Sequence, residues 1–154
     1  MSGAAGERHW LRVPDAGGER RLAVVLGNTN CRVALMEGTE IRDALVLRTA
    51  ELGAEEQPDR LRDFAAGGAI REAGLCSVVP RREGDVRALF AAAGLPEPRL
   101  VRPSASSFFP TAYRSMDTLG ADRYCGVLAA HVLHGAPAMV VDCGTATTVN
   151  ILDA

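Results

Sequence analysis

LAVVL-GNTN-CRVALM-EGT-EIRDALVL, residues 22–47, is the stretch on which the fold turns. Residues 22–26 form a short apolar run suited to a buried strand. It breaks at Gly27-Asn28-Thr29-Asn30, where Gly and Asn tolerate the turn conformations that other residues resist. Residues 31–36 alternate, Glu37-Gly38 reverses the chain, and residues 40–47 supply a third strand. Links this short force antiparallel neighbours, because a parallel crossover needs a dozen or more residues.

Downstream the pattern changes from hairpins to alternation. Residues 58–66 predict a helix, with Pro58 in the first turn, Leu61, Phe64 and Ala65 on one face, and Gly67-Gly68 as the stop. A buried strand is expected over 75–79, ending at Pro80. A second helix follows over 85–93, facing inward through Val86, Leu89, Phe90 and Ala93, with Gly94 closing it. Residues 99–101 read as a short strand. A third helix over about 119–133 aligns Ala121, Tyr124, Cys125, Leu128 and Val132. Strands at 138–141 and 147–152 then flank a Gly-Thr turn, a closing hairpin that repeats the opening one. The order β-β-β-α-β-α-β-α predicts an α/β domain of ribonuclease-H-like class. The final hairpin opens something new and, as two strands alone, needs a partner.

Composition narrows the chemistry. The 154 residues are 47% hydrophobic and 23% charged, within the range of a globular domain. No apolar run approaches the ~18 residues of a membrane span. All 17 basic residues are Arg, which excludes Schiff-base and P-loop lysine chemistry. A net charge of -2 gives no general pull toward nucleic acid or anionic membrane. Cys31, Cys76, Cys125 and Cys143 lack CxxC spacing and read as buried, reduced thiols of a cytoplasmic protein. Residues 1–20, polar and Gly-rich, read as a flexible lead-in without signal-peptide character. His131 and His134 have no acidic or thiol companion at ligand spacing and read as ordinary side chains. Arg20-Arg21 and Arg81-Arg82 read as solvated faces.

Four segments carry candidate chemistry. The Gly27-Asn28-Thr29-Asn30 turn lets backbone amides approach a phosphate, although taken alone a plain hairpin turn is the better explanation. In Asp142-Cys143-Gly144-Thr145-Ala146-Thr147-Thr148 a carboxylate precedes a Gly-Thr turn and a cluster of hydroxyls, a set suited to a cation and a polyphosphate. Tyr113 and Leu119-Gly120-Ala121-Asp122-Arg123 place a carboxylate in the first turn of a helix. There the helix dipole favours it, and an adjacent guanidinium suits an anion. Ser77-Val78-Val79-Pro80 is a strand end.

Taken in this order, the segments resemble type III pantothenate kinases, of the acetate and sugar kinase/Hsp70/actin superfamily. GNTN resembles the family's first phosphate motif, Cys76 through Pro80 its SSVVP segment, LGADR with Tyr113 its pantothenate and catalytic segment, and residues 142–148 its second phosphate motif. The resemblance covers residues 21–153. It implies an actin-like ATPase domain over 21–137 and, over 138–154, only the first hairpin of a second similar domain. It implies transfer of the ATP γ-phosphate to pantothenate, the first step of coenzyme A synthesis, in a cytoplasmic homodimer. Asp122 would be the catalytic base. Tyr113, Gly120, Ala121, Asp122 and Arg123 would bind pantothenate. Gly27, Asn28, Thr29, Asn30, Arg32 and Thr145 would meet ATP, and Asp142 would hold K+ or NH4+. Mg2+ would accompany ATP.

Two departures stand out. Val25 occupies the place of the Asp that opens the family's D-x-G-N-T motif, and the family's chains continue into a full second domain. A non-catalytic pantothenate-binding or regulatory relative, or an inactive fragment lacking most of the second domain, is therefore the rival expectation. A superfamily kinase acting on sugar or acetate fits less well, because GADR with an upstream Tyr is not their pattern.

Overall fold

The computed structural model describes residues 18–103, 113–144 and 146–153. The opening stretch forms β1 (Arg20–Leu26), β2 (Asn30–Glu37) and β3 (Glu40–Arg48), paired antiparallel from Leu26↔Cys31 and Asn30↔Arg48 outward. After α1 (Gln57–Phe64), β4 (Ile70–Ser77) runs parallel to β1. α2 (Glu83–Ala92) then leads to β5 (Arg99–Leu100), parallel to β4. The result is one mixed five-stranded sheet in the order β3-β2-β1-β4-β5. α3 (Ala121–His134) leads to a separate hairpin, β6 (Ala138–Cys143) and β7 (Thr147–Leu152).

The strand alternation explains the core. Leu22, Val24 and Leu26 of β1 join Cys31, Val33, Leu35, Leu47, Ala73 and Leu75 on one buried face. Leu61 and Ala65 from the first helical segment and Val86, Leu89, Phe90 and Ala93 from the second belong to the same cluster. Full burial of each large side chain is worth about 1.5–3 kcal/mol. The opposite face is covered unevenly. α3 lies against β4, whereas Val25 and Val46 remain 42% and 50% exposed and Arg32 is also exposed.

The structure shifts several expected boundaries. β4 begins at Ile70, five residues before the expected start, because parallel pairing with Arg20–Leu26 carries Glu72 and Gly74 into the ladder despite their composition, with Arg71 passed over at a register shift. It ends at Ser77, since Val79 already leads into a short 3₁₀ turn, Pro80–Arg82. α2 starts at Glu83 rather than residue 85, and α3 at Ala121 rather than 119. On α3 only Ala121 and Tyr124 of the expected inward face are fully buried; Cys125, Leu128 and Val132 are half-buried.

The arginine pairs are not merely solvated. Arg20 donates to the Gly68 and Ala66 carbonyls, both at 2.8 Å, clamping the Gly67-Gly68 turn, where φ of +97° at Gly67 demands glycine. Arg21 pairs with Glu72 at 2.8 Å, and Arg82 donates to the Thr49 carbonyl at 2.6 Å; Arg81 alone is exposed as expected. All four cysteines are free, but they are not all buried. Cys143 is exposed because it ends β6 on the same alternate face as Met139 and Val141, the face turned away from α3. The lead-in expected over 1–20 falls outside the described residues up to residue 17, while Arg20 is already in the sheet.

The closing hairpin finds its partner in α3, which packs against both of its strands. Its alternation separates two faces. Ala138, Val140, Thr148, Asn150 and Leu152 are half-buried or buried, with Leu152 the most enclosed. Met139, Val141, Val149 and Ile151 project the other way and are 49–74% exposed, cross-strand partners forming an apolar stripe.

Candidate functional site

The β1–β2 turn is a braced structure. The Gly27 amide donates to the Asn30 carbonyl at 2.9 Å, and a Cβ at position 27 would sit 3.2 Å from that oxygen, a tight approach that glycine avoids. Asn28 and Thr29 are exposed at the tip, and Asn30 opens β2. Thr49, only 4% exposed, holds the turn from behind. Its hydroxyl donates to the Gly27 carbonyl at 2.8 Å and its amide to the Thr29 carbonyl at 2.9 Å, while Arg82 fixes the Thr49 carbonyl in turn. On the other side, Val78 donates to the Leu26 carbonyl at 3.1 Å, which seats the 77–80 segment beside the same turn. The exposed tip, its freedom of motion removed by this bracing, suits backbone recognition of an anion.

Beside the turn, strand register sets a row across the sheet: Val46, Arg32, Val25 and Cys76 are successive partners. The row is open at Val46, Arg32 and Val25 and closed at Cys76, which lies under α3. Arg32 thus carries a guanidinium on the open face, as the register partner of Val25, which lies two residues before Gly27.

α3 opens at the second cluster. Gly120 is its N-cap, Ala121 is buried as the first helical residue, and Asp122 follows. The Arg123 amide donates to Asp122 Oδ1 at 2.7 Å, satisfying one of the orphan donors of the helix start. That carboxylate occupies the place a side chain at 120 would take, with an added Cβ only 2.5 Å from Oδ1. Gly120→Ala is therefore expected to swing the carboxylate aside. Stability should fall by only about 1 kcal/mol, the value of a lost cap. If Asp122 handles the reacting proton, kcat should fall by about 10²-fold, as misplacement by an ångström does. Thermal unfolding beside turnover separates the two effects.

Arg123 gathers the rest. Its Nε donates to Asn150 Oδ1 at 2.8 Å and its Nη1 to the Tyr113 hydroxyl at 3.3 Å, while the guanidinium carbon lies 5.7 Å from the Tyr113 ring centre. Tyr113 is 40% exposed, so this arginine–tyrosine pair borders solvent while anchored to β7. Among the described residues this guanidinium is held by a neutral amide and a phenol and has no ion-pair partner, an arrangement suited to a carboxylate. Asn150, which was not among the expected site residues, shares its hairpin face with Thr148 and Asp142. Asp142 is exposed, and the buried hydroxyl of its cross-strand partner Thr148 finds no hydrogen bond among the described residues. Gly144 closes the turn by donating to the Ala146 carbonyl at 3.2 Å. Thr145 lies outside the described residues.

Asp122 also acts electrostatically on the Cys76 thiol, which is the strand partner of Val25. α3 packs on β4, and the end of β4 pairs with the end of β1. Tyr113, Gly120, Asp122, Arg123 and Asn150 form one cluster, and Gly27–Asn30 with Arg32 form a second beside it.

A mixed five-stranded sheet with helices is consistent with a domain of the actin-like ATPase type. The family model described as type III pantothenate kinase matches residues 21–154, and the chain belongs to that family. The type III pantothenate kinase of Frankia alni is 33% identical over 135 residues, covering 86% of this chain and 54% of the relative. That of Thermomicrobium roseum is 32% identical over 142 residues, covering 86% and 54%. That of Zymomonas mobilis is 35% identical over 139 residues, covering 86% and 50%. The chain spans about half the length of the curated relatives it matches.

Proposed function

We propose that this chain carries the pantothenate-binding and proton-accepting part of a kinase site that phosphorylates pantothenate with ATP. The observation that supports this most directly is the Arg123 arrangement: a guanidinium anchored by Asn150 and Tyr113, one residue from the Asp122 carboxylate. Arg123 would pair with the pantothenate carboxylate, and Tyr113 and Gly120 would line the pocket beside it. Asp122 would accept the proton of the attacking hydroxyl. The Gly27–Asn30 turn, Arg32 and Thr145 would hold ATP phosphates. Phosphoryl transfer depends mostly on such positioning and charge neutralisation.

Asp142 and the unpartnered Thr148 hydroxyl form an oxygen-only donor set that fits a hard monovalent cation, K+ or NH4+. When bound, the cation offsets phosphate charge. The residues at the first motif do not fit Mg2+ in the same way. Position 25 is Val, and among the described residues no three His, Cys, Asp or Glu side chains gather to hold a metal. That vacancy of charge favours the second reading, a pantothenate-binding relative without Mg-ATP competence. Calorimetry and a coupled ATP assay with and without pantothenate and K+ decide between them. Turnover requiring both supports the kinase, pantothenate binding without ATP binding supports the binding protein, and no pantothenate binding overturns both.

We also propose residues 21–137 as a first ribonuclease-H-like domain, 138–154 as the opening of a second, and a cytoplasmic homodimer. The stripe of Met139, Val141, Val149 and Ile151 supports association with a second copy in a pure solution of this chain. Burial of each side chain offers about 1.5–3 kcal/mol. Sedimentation should therefore find a dimer or larger species, shifting toward monomer in Val141→Glu/Ile151→Glu; a monomeric parent chain overturns this.

A further inference from the structure

Among the described residues, the hydrogen bonds that reach the Gly27–Asn30 turn from outside land on its carbonyls. The Thr49 hydroxyl donates to the Gly27 carbonyl at 2.8 Å, and the Thr49 amide to that of Thr29 at 2.9 Å. In a planar trans peptide, the carbonyl of one residue and the amide of the next point in opposite directions. A Gly27 carbonyl drawn toward Thr49 therefore turns the Asn28 amide away from Thr49, at the exposed tip. Thr49 is buried, only 4% exposed, where β3 gives way to a short 3₁₀ turn, Thr49–Glu51. Its own carbonyl accepts from Arg82 Nη2 at 2.6 Å, and Arg82 Nε pairs with Asp85 of α2 at 2.8 Å. A chain of contacts thus runs from α2 through Arg82 and Thr49 to the Gly27–Asn28 peptide.

We propose that Thr49 is a positioning residue for the nucleotide: its hydroxyl fixes the Gly27–Asn28 peptide so that the Asn28 amide faces a polyphosphate, and Arg82 fixes Thr49. This rests on reading the turn as the phosphate-binding element, and it adds the residue that sets the direction of its amide. Glycine leaves a peptide freer to rotate than any other residue does. The buried hydroxyl removes that freedom at Gly27 before a ligand arrives. Without it, the turn keeps the Thr49 amide bond to Thr29, but the ligand itself must order the peptide that precedes Asn28. The loss of affinity is bounded by what the hydroxyl bond supplied, a roughly three- to tenfold change for one net hydrogen bond.

The contacts also separate the two halves of the site. Neither Thr49 nor Arg82 has a printed bond to the Arg123, Asn150 and Tyr113 group, whose anchors are their own. A change at Thr49 is therefore felt by phosphate and not by pantothenate.

The test uses the 154-residue chain with inorganic tripolyphosphate as the probe, read by calorimetry and by amide NMR. Thr49→Val keeps the branched shape and removes the hydroxyl. It should weaken tripolyphosphate binding roughly three- to tenfold and lower the backbone order parameter at Asn28 below the rigid value of about 0.85. Thr49→Ser should restore both, and pantothenate affinity should be the same in all three proteins. Arg82→Lys, which cannot hold the Thr49 carbonyl and Asp85 together, should shift tripolyphosphate affinity in the same direction by a smaller factor. Leu35→Ala, a core cut at the other end of the β1–β2 pairing, should lower thermal stability and leave that affinity unchanged. Unchanged affinity in Thr49→Val, an equal loss in Leu35→Ala, or no tripolyphosphate shift at Asn28 in the parent chain would each overturn the proposal. Tripolyphosphate bound at the turn and weakened by Thr49→Val, with no turnover in the coupled ATP assay, would overturn the kinase reading and support the Thr49 assignment.

Discussion

Asp122→Asn is expected to lower turnover by about 10²–10⁴-fold, the range for removal of a positioned general base, while pantothenate affinity changes by no more than a few-fold. The geometry makes this a clean substitution. Asn keeps an oxygen where Asp122 Oδ1 accepts the Arg123 amide, so the start of α3 retains its hydrogen bond. The Arg123 guanidinium keeps its own anchors on Asn150 and Tyr113. What disappears is the capacity to accept a proton, which matters in the transition state and not in the bound ground state. Steady-state kinetics and calorimetry on the turnover-competent protein read the two quantities separately. A parallel fall in affinity and turnover would make the carboxylate a helix cap and nothing more. Arg123→Lys supplies the contrast: Lys cannot keep both anchors or present a planar fork, so pantothenate affinity itself should weaken.

Much of this arrangement is legible in the residues, and the parts that are not have physical reasons. The β1–β3 meander follows from short links that admit no crossover. The inward face of α2, Val86, Leu89, Phe90 and Ala93, follows from helical spacing, and all four are buried. The start of β4 is not legible, because Ile70 through Gly74 joins the sheet by tertiary pairing with β1 against its own composition. Thr49 is equally silent in sequence. Its role depends on the carbonyls of Gly27 and Thr29 arriving beside it from 20 or more positions away. Asn150 left one faint signal, a strand-averse residue amid Thr and Val, but only α3 packing on the hairpin gives it Arg123 as a partner. The Arg20 and Arg82 clamps have the same character: each donates to carbonyls that no local pattern announces.

Val25→Asp is the substitution that tests whether the ATP side of the site survives. Val25 ends up 42% exposed on the open sheet face, so its replacement uncovers no core and leaves no cavity. The change in strand preference costs at most about 1 kcal/mol. A cross-strand ion pair with Arg32, its register partner, returns roughly 0.2–1 kcal/mol of that. Net stability should therefore stay nearly constant, a result that denaturant unfolding checks. The electrostatic consequence is larger. A carboxylate two residues before Gly27 gives a divalent cation a charged oxygen on the open face that Arg32 shares, next to the Gly27–Asn30 turn. A gain of about 1.4 kcal/mol there is a tenfold gain in affinity, and roughly tenfold tighter Mg-ATP binding is the expected calorimetric result. The gain should vanish when ATP is offered with EDTA, because without the cation the new carboxylate only repels phosphate. Tighter binding with Mg2+ alone would mean that the missing charge at position 25 is the principal obstacle to catalysis on this face. Unchanged affinity with pantothenate still bound would mean that the ATP side is lost beyond that one residue, and that the chain is a binding protein built on a kinase fold.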